Sequence, residues 1–175
     1  MASTPQPPQV LGVPAVDPDT AGTDASQGED EQLAFLLVEV GALRYAVPAH
    51  SVQEVVEAQA TVPVPQVPAF VRGVFPLAGR VVVLIELRAL LGLPPPTGEA
   101  SGPGRTLVVN TEAGPMGLRV DAVLGLQELA RSRLRVSHGE VDAPVLETFL
   151  DGPNVVSVLD VQRLVSLAES RVGRS

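Results

Sequence analysis

The sequence predicts a mainly β protein built as two related β-rich halves, with few short helices. Two observations carry this. The chain is 45% hydrophobic and holds 30 valines, set in short apolar segments whose β-branched side chains favour a pleated, half-buried surface. Two passages also recur at nearly one spacing. Val83-Leu-Ile-Glu-Leu-Arg-Ala-Leu-Leu91 has the form of Ser157-Val-Leu-Asp-Val-Gln-Arg-Leu-Val165, at an offset of 74. Both run from a strand through an acidic residue into helically spaced apolar positions. At an offset of 73, Ala46-Val-Pro48 echoes Arg119-Val-Asp121. A chain of 175 residues suits one domain, or two very small ones, and a core that holds without staples.

The elements follow in order. Residues 1–30 carry five prolines and five acids (Asp17, Asp19, Asp24, Glu29, Asp30), with no basic or aromatic residue. They have little to bury against the entropy of ordering, so they read as a disordered acidic tail. Residues 31–168 read as the folded domain and 169–175 as a frayed end. Phe35–Val40 and Leu43–Val47 read as a hairpin around Gly41-Ala42, ended by Pro48. Val52–Val56 fits a strand or a short helical turn, and propensity favours the strand. Thr61–Pro68, with prolines at 63, 65 and 68, can only be an edge or extended segment. Val71–Phe75 is a strand, Pro76-Leu-Ala-Gly79 a turn, and Arg80–Ile85 a continuous apolar run expected to be buried on both faces. Glu86–Leu91 has helical spacing and stops at Gly92. Pro94–Gly104 is a loop by composition. Arg105–Asn110 and Gly117–Val123 are strands. In the following stretch Gln127–Arg131 suits a helical turn and Leu134–Val136 an extended piece, while Leu146–Leu150 is ambiguous. Asp151–Asn154 is a turn and Val155–Leu159 a strand. Asp160 is a natural N-cap for a helix over Val161–Ala168.

Composition excludes several classes of chemistry. There is no cysteine, hence no disulfide, thiolate metal site or cysteine nucleophile. All 12 basic residues are Arg, so there is no Schiff-base or P-loop lysine. The net charge is −8 and aromatic residues are 3%, against a phosphate-backbone binder or a base-stacking surface, so no nucleic acid is expected. Most of the acidity sits in the tail: from residue 32 on, 12 Arg face 14 acids. No apolar run reaches the roughly 18 residues of a transmembrane helix, and no basic-then-apolar leader is present. The expectation is a cytoplasmic protein without direct membrane insertion.

The search for a catalytic constellation returns nothing. His50 and His138 stand alone in turn-like contexts, with no metal-ligand spacing, so no metal and no cofactor is expected. Gly-x-Ser-x-Gly, phosphate-cradling and calcium-loop motifs are absent. Glu54 and Glu57 sit three apart and read as a solvated edge. Glu86 opens a helix, where an acid is ordinarily a dipole partner. Arg131, Arg133 and Arg135 alternate, which places them on one solvated face of a strand or on a surface for an acidic partner. A cored domain without a catalytic set points to a binding module, not an enzyme.

The stretch from Pro68 to Gly92, with Val71-Arg-Gly-Val74, Pro76-Leu-Ala-Gly79 and Val83-Leu-Ile-Glu-Leu-Arg88, resembles the signature of the CheW-like family. Tyr45-Ala-Val-Pro48, Val52-Gln-Glu-Val55, Gly117-Leu-Arg-Val-Asp-Ala-Val123 and Val158-Leu-Asp-Val161 resemble further family motifs, in family order over residues 33–167. The resemblance implies a mainly β fold of two small five-stranded SH3-like β-barrel subdomains around a shared hydrophobic core. It implies a non-enzymatic adaptor linking the cytoplasmic tip of a methyl-accepting chemoreceptor to the regulatory domain of a CheA-type histidine kinase, at chemoreceptor arrays. Carried over residue by residue, it marks Val52, Glu54, Arg72, Gly73, Ala78 and Val81 as partner-binding positions. An exposed apolar residue flanked by Arg and Glu is an ordinary hot-spot arrangement; for Val52 and Val81 the plain alternative is a place in the core. Four positions depart from the family pattern. Pro76 and Ala78 stand for its Asn and Arg, Val83 for its Pro, and Glu86 for its Asp, a poorer cap. These departures leave room for a second reading, in which a divergent member binds one partner only and modulates or redirects the pathway.

Overall fold

The computed structural model describes residues 30–97, 102–139 and 143–174. Residues 31–175 form one compact unit. The expected tail, apart from Asp30, and part of the 94–104 loop lie outside the described residues.

Eleven strands and two α-helices are found among the described residues. The strands are β1 (Gln32–Val40), β2 (Leu43–Pro48), β3 (Val52–Glu57), β4 (Val71–Leu77), β5 (Arg80–Glu86), β6 (Arg105–Thr111), β7 (Gly114–Val120), β8 (Ala122–Ala130), β9 (Arg135–Val136), β10 (Val145–Asp151) and β11 (Asn154–Leu159). The helices are α1 (Leu87–Leu90) and α2 (Val161–Val172).

The strands form a six-stranded sheet, β8-β1-β2-β11-β10-β9, and a five-stranded sheet, β3-β6-β7-β5-β4. The five-stranded sheet is continuous in sequence and lies inside the six-stranded one, which takes both ends of the domain. Five strands per subdomain thus holds, save that the two-residue β9 adds a sixth to one sheet.

The two sheets repeat one plan. In each, a hairpin (β10-β11 or β4-β5) is joined through a parallel ladder, β11 to β2 or β5 to β7, to the second strand of another hairpin. The 74-residue repeat is therefore structural: β5-α1 corresponds to β11-α2. The 73-residue echo is two residues out of register. Leu84 pairs with Gly117 and Val158 with Ala46, so Ala46 corresponds to Gly117 and not to Arg119.

Strand alternation splits the apolar residues into two sets per sheet. One set from each sheet meets in a shared core, including Val38, Val40, Tyr45 and Val47 from one and Ile85, Leu107, Leu118 and Val120 from the other. Leu87 and Leu90 of α1 and Val161 and Leu164 of α2 close it. The opposite set stays with its own sheet: Phe35, Ala46, Phe149 and Val156 in one, Phe75, Val82 and Leu84 in the other. The shared core that the resemblance implies is thus present.

Several local expectations change. The Arg80–Ile85 run is not buried on both faces: Val81 and Val83 are exposed while Val82, Leu84 and Ile85 are buried. Only the C-terminal part of β5 reaches the shared core. Pro76 and Leu77 stay in β4, leaving a two-residue turn of Ala78 (φ +47) and Gly79 (φ +76). Gln127–Arg131 is no helical turn. β8 runs to Ala130 because β1 supplies a ladder partner through Gln32, and tertiary pairing overrides local propensity. The ambiguous Leu146–Leu150 is strand for the same reason, paired with β11. Arg131–Arg133 is a 3-10 turn, so the three alternating arginines do not share a strand face. The last helix runs to Val172 rather than fraying after Glu169. Its final turn is held by Gly173 N–H to Glu169 O at 3.1 Å and by Arg171 Nη1 to Leu90 O at 2.7 Å.

Candidate functional site: an exposed apolar hairpin beside an ion-pair cleft

The five-stranded sheet separates the expected contact residues into two groups. Val52 and Glu54 lie on β3 at one edge; Arg72 and Gly73 on β4 at the other, with Ala78 and Val81 on the β4-β5 hairpin. Strands β6, β7 and β5 stand between the edges in the ladder order. Four of the six residues are thus brought together by one hairpin, and two are not joined to them by any ladder among the described residues.

Val81 is 68% exposed. It pairs with Pro76, whose lack of an N–H suits this solvent-facing position. Beside β4 the Thr61–Pro68 segment makes one antiparallel bridge, with Val62 N–H to Val74 O at 2.8 Å and Val74 N–H to Val62 O at 2.9 Å. It is therefore the edge that its prolines require, and it adds the exposed side chain of Val62 to the patch. Val83, equally unpredicted, extends the patch along β5. The signal that could have found it is alternation within the run, which an all-apolar sequence hides.

Gly73 is buried and offers no side chain. A Cβ there would lie 2.3 Å from Val62 O, at φ +136. The glycine lets the bridge close, and it sits where β4 bulges between Val71 and Gly73. Val52 is half-buried and packs against the shared core; Glu54 is exposed. On the same edge, Glu57 faces Arg105 at 3.7 Å.

The bulge carries Arg72 to the rim of a cleft of about 290 Å³ between β4, β5, α1 and β7. Glu86 Oε2 accepts from Arg119 Nη1 at 2.8 Å and stands 4.0 Å from Arg72 Nε. Asp121 Oδ2 accepts from Arg88 Nη2 and from the Gly41 N–H, tying the β1-β2 turn to the five-stranded sheet. Glu86 makes no side-chain cap to α1: the longer acid serves the arginines instead. Elsewhere, burial pushes the Tyr45 phenol up from its ordinary value. Among the described residues no group of three His, Cys, Asp or Glu is placed to hold a metal ion, and no helix is long and apolar enough to cross a membrane. Both histidines are exposed, with His50 in the 3-10 turn after β2.

The whole arrangement is that of a binding module: two β-sheets on one core, with an exposed apolar hairpin and charged side chains around it. The CheW-like domain model matches residues 34–169, and this chain belongs to that family. It is 31% identical over 150 residues to the chemotaxis protein CheW of Helicobacter pylori, covering 85% of this chain and 84% of the relative. It is 27% identical over 146 residues to the chemotaxis protein CheW of Treponema pallidum, covering 80% and 86%. Protein FrzA of Myxococcus xanthus is 36% identical over 107 residues, covering 60% and 64%. Among solved structures, the scaffolding protein TtCheW from Thermoanaerobacter tengcongensis superposes with a TM-score of 0.69 at 18% identity, covering 77% of this chain and 92% of that one.

Proposed function

We propose that this chain is a non-enzymatic coupling adaptor of a chemosensory pathway. It joins the cytoplasmic tip of a methyl-accepting chemoreceptor to the regulatory domain of a CheA-type histidine kinase, in receptor arrays. The observation that carries this reading is the β4-β5 hairpin. Val81 is 68% exposed, with Val62 exposed on the neighbouring segment, and Arg72 stands at the other end of the same hairpin, on the rim of the ion-pair cleft. Apolar side chains left in water on a hydrogen-bonded hairpin, with charged groups further along the same strands, are the makings of an interface centre with a polar rim. Family membership over residues 34–169 supports the same role. The contact residues are Val52 and Glu54 on one edge of the sheet and Arg72, Ala78 and Val81 on the other, with Gly73 shaping the strand beneath.

The test is a calorimetric titration of the full chain with the regulatory domain of the kinase from the same cell. Micromolar or tighter binding is expected. Val81→Asp weakens it at least tenfold without unfolding the chain, because the side chain is already in water. No binding by the folded wild-type chain overturns the kinase contact, and the receptor tip then becomes the titrant for the single-partner reading. A gain of the second partner on Ala78→Arg would place the missing contact at the hairpin tip.

A further inference from the structure

We infer that the cleft rimmed by Arg72 is an oxyanion site, shaped for one carboxylate. Among the described residues, three guanidiniums, of Arg72, Arg88 and Arg119, line the cleft with two carboxylates, Glu86 and Asp121. That leaves one positive charge in excess. The side chains beneath are largely withdrawn from water, with Arg88 14%, Glu86 13% and Asp121 20% exposed, and charge interactions strengthen as water is excluded.

Hydrogen-bonding capacity points the same way. A guanidinium carries five N–H donors. Arg88 gives donors to Asp121 Oδ2 and Pro94 O, and Arg119 to Glu86 Oε2 and Pro103 O. The Arg72 guanidinium makes no hydrogen bond among the described residues, while the Thr61 hydroxyl donates to the Arg72 backbone carbonyl at 3.3 Å; its approach to Glu86 is 4.0 Å and its side chain is 53% exposed. The deep arginines are thus anchored and the outer one is free to swing. An oxyanion entering beside Glu86 neutralises the excess charge and takes the open donors of Arg72 and Arg119, the fork geometry in which Arg holds a carboxylate. Arg72 is then a clamp, and Glu86 the residue that positions it. The shared chemistry is a carboxylate-like oxyanion. It can come from an acidic side chain of a docked protein or from a small free anion.

The experiment uses the uniformly 15N-labelled full chain and the Nε–Hε signals of its arginines. The probes are sodium acetate, N-acetyl-glutamate amide and inorganic phosphate, each at constant ionic strength, with sodium chloride as comparator. Saturable shifts of the Arg72 and Arg119 signals are expected with acetate and the capped glutamate, and only weak linear drift with chloride. Arg72→Gln weakens saturation at least fivefold. Arg80→Gln, on the exposed start of β5, leaves it unchanged. Tighter binding of the capped glutamate than of acetate or phosphate assigns the site to a partner's acidic side chain; equal or tighter phosphate binding assigns it to a free anion. Linear response to every probe, or the same response from Arg72→Gln as from wild type, overturns the inference.

Discussion

The β4-β5-α1 and β10-β11-α2 units are two answers to one plan. Position for position, at an offset of 74, both have a bulge at the start of the first strand, between Val71 and Gly73 and between Val145 and Glu147. Both set an apolar pair near the hairpin tip, Pro76 with Val81 and Leu150 with Val155. Both pass from the second strand through an acid into a helix. They then diverge by small chemical steps. Asp160 Oδ1 accepts the Arg163 N–H at 3.0 Å and caps a helix of 12 residues. Glu86, one methylene longer, leaves its four-residue helix uncapped and reaches Arg119 instead. Gly73 makes room for the carbonyl of Val62; Glu147 in its place pairs with Val136 of β9. The sheet interiors differ likewise. Phe149 lies 6.1 Å from Phe35, centroid to centroid, in the six-stranded sheet. In the five-stranded sheet Phe75 lies against Gly117, next to Thr106, whose buried hydroxyl has no hydrogen-bond partner among the described residues. A shared backbone plan tolerates these changes because each is local. What they alter is which side chains are left over for contact.

The largest break in this comparison is expected at the bulge. Gly73→Ala forces a Cβ against Val62 O at a backbone angle that L residues rarely adopt, and costs about 2–4 kcal/mol. Glu147→Ala, at the matching place, stays within about 1 kcal/mol. Urea unfolding of the two variants reads the difference, and equal losses would show that the bulges are not distinguished by the bridge. Next come the caps. Asp160→Ala removes the bond to Arg163 N–H and costs about 1 kcal/mol, with faster amide exchange at Arg163. Glu86→Ala leaves exchange at Ala89, the corresponding amide of α1, as it was. A quickened Ala89 amide would mean that Glu86 does cap its helix. The smallest effect is at the tips. Ala78 at φ +47 is a non-glycine in the left-handed region, and Gly152 at φ +58 is its loose counterpart. Ala78→Gly raises stability by about 0.5 kcal/mol and Gly152→Ala lowers it by a similar amount. Thermal melts of both variants check the opposite signs.

Much of this was legible beforehand where local signals were strong. Gly41-Ala42, Gly92, Asp160 and the prolines at 63, 65 and 68 each carry a backbone constraint of their own, and the structure honours each of them. Gln127–Arg131 and Leu146–Leu150 were illegible because their state depends on a distant ladder partner. The contact set was half legible. Ala78 and Val81 are neighbours in sequence and stay together at the hairpin tip, while Arg72 lies at the other end of the same two strands. Nothing local says that β3, with Val52 and Glu54, takes the opposite edge, or that Glu86 and Asp121 share one cleft.

By itself the sequence determined the β-rich class, the paired plan and most turns, because these rest on side-chain alternation, propensity and fixed φ angles acting within a few residues, and its ordered motifs carried the family resemblance. Tertiary structure alone decided the insertion of one sheet within the other, the exposure of Val81 and Val83 in an all-apolar run, and the meeting of Arg72, Arg88 and Arg119 in one cleft. Those outcomes depend on which surfaces are left when distant strands pair, and pairing at a distance is set by burial of the whole core.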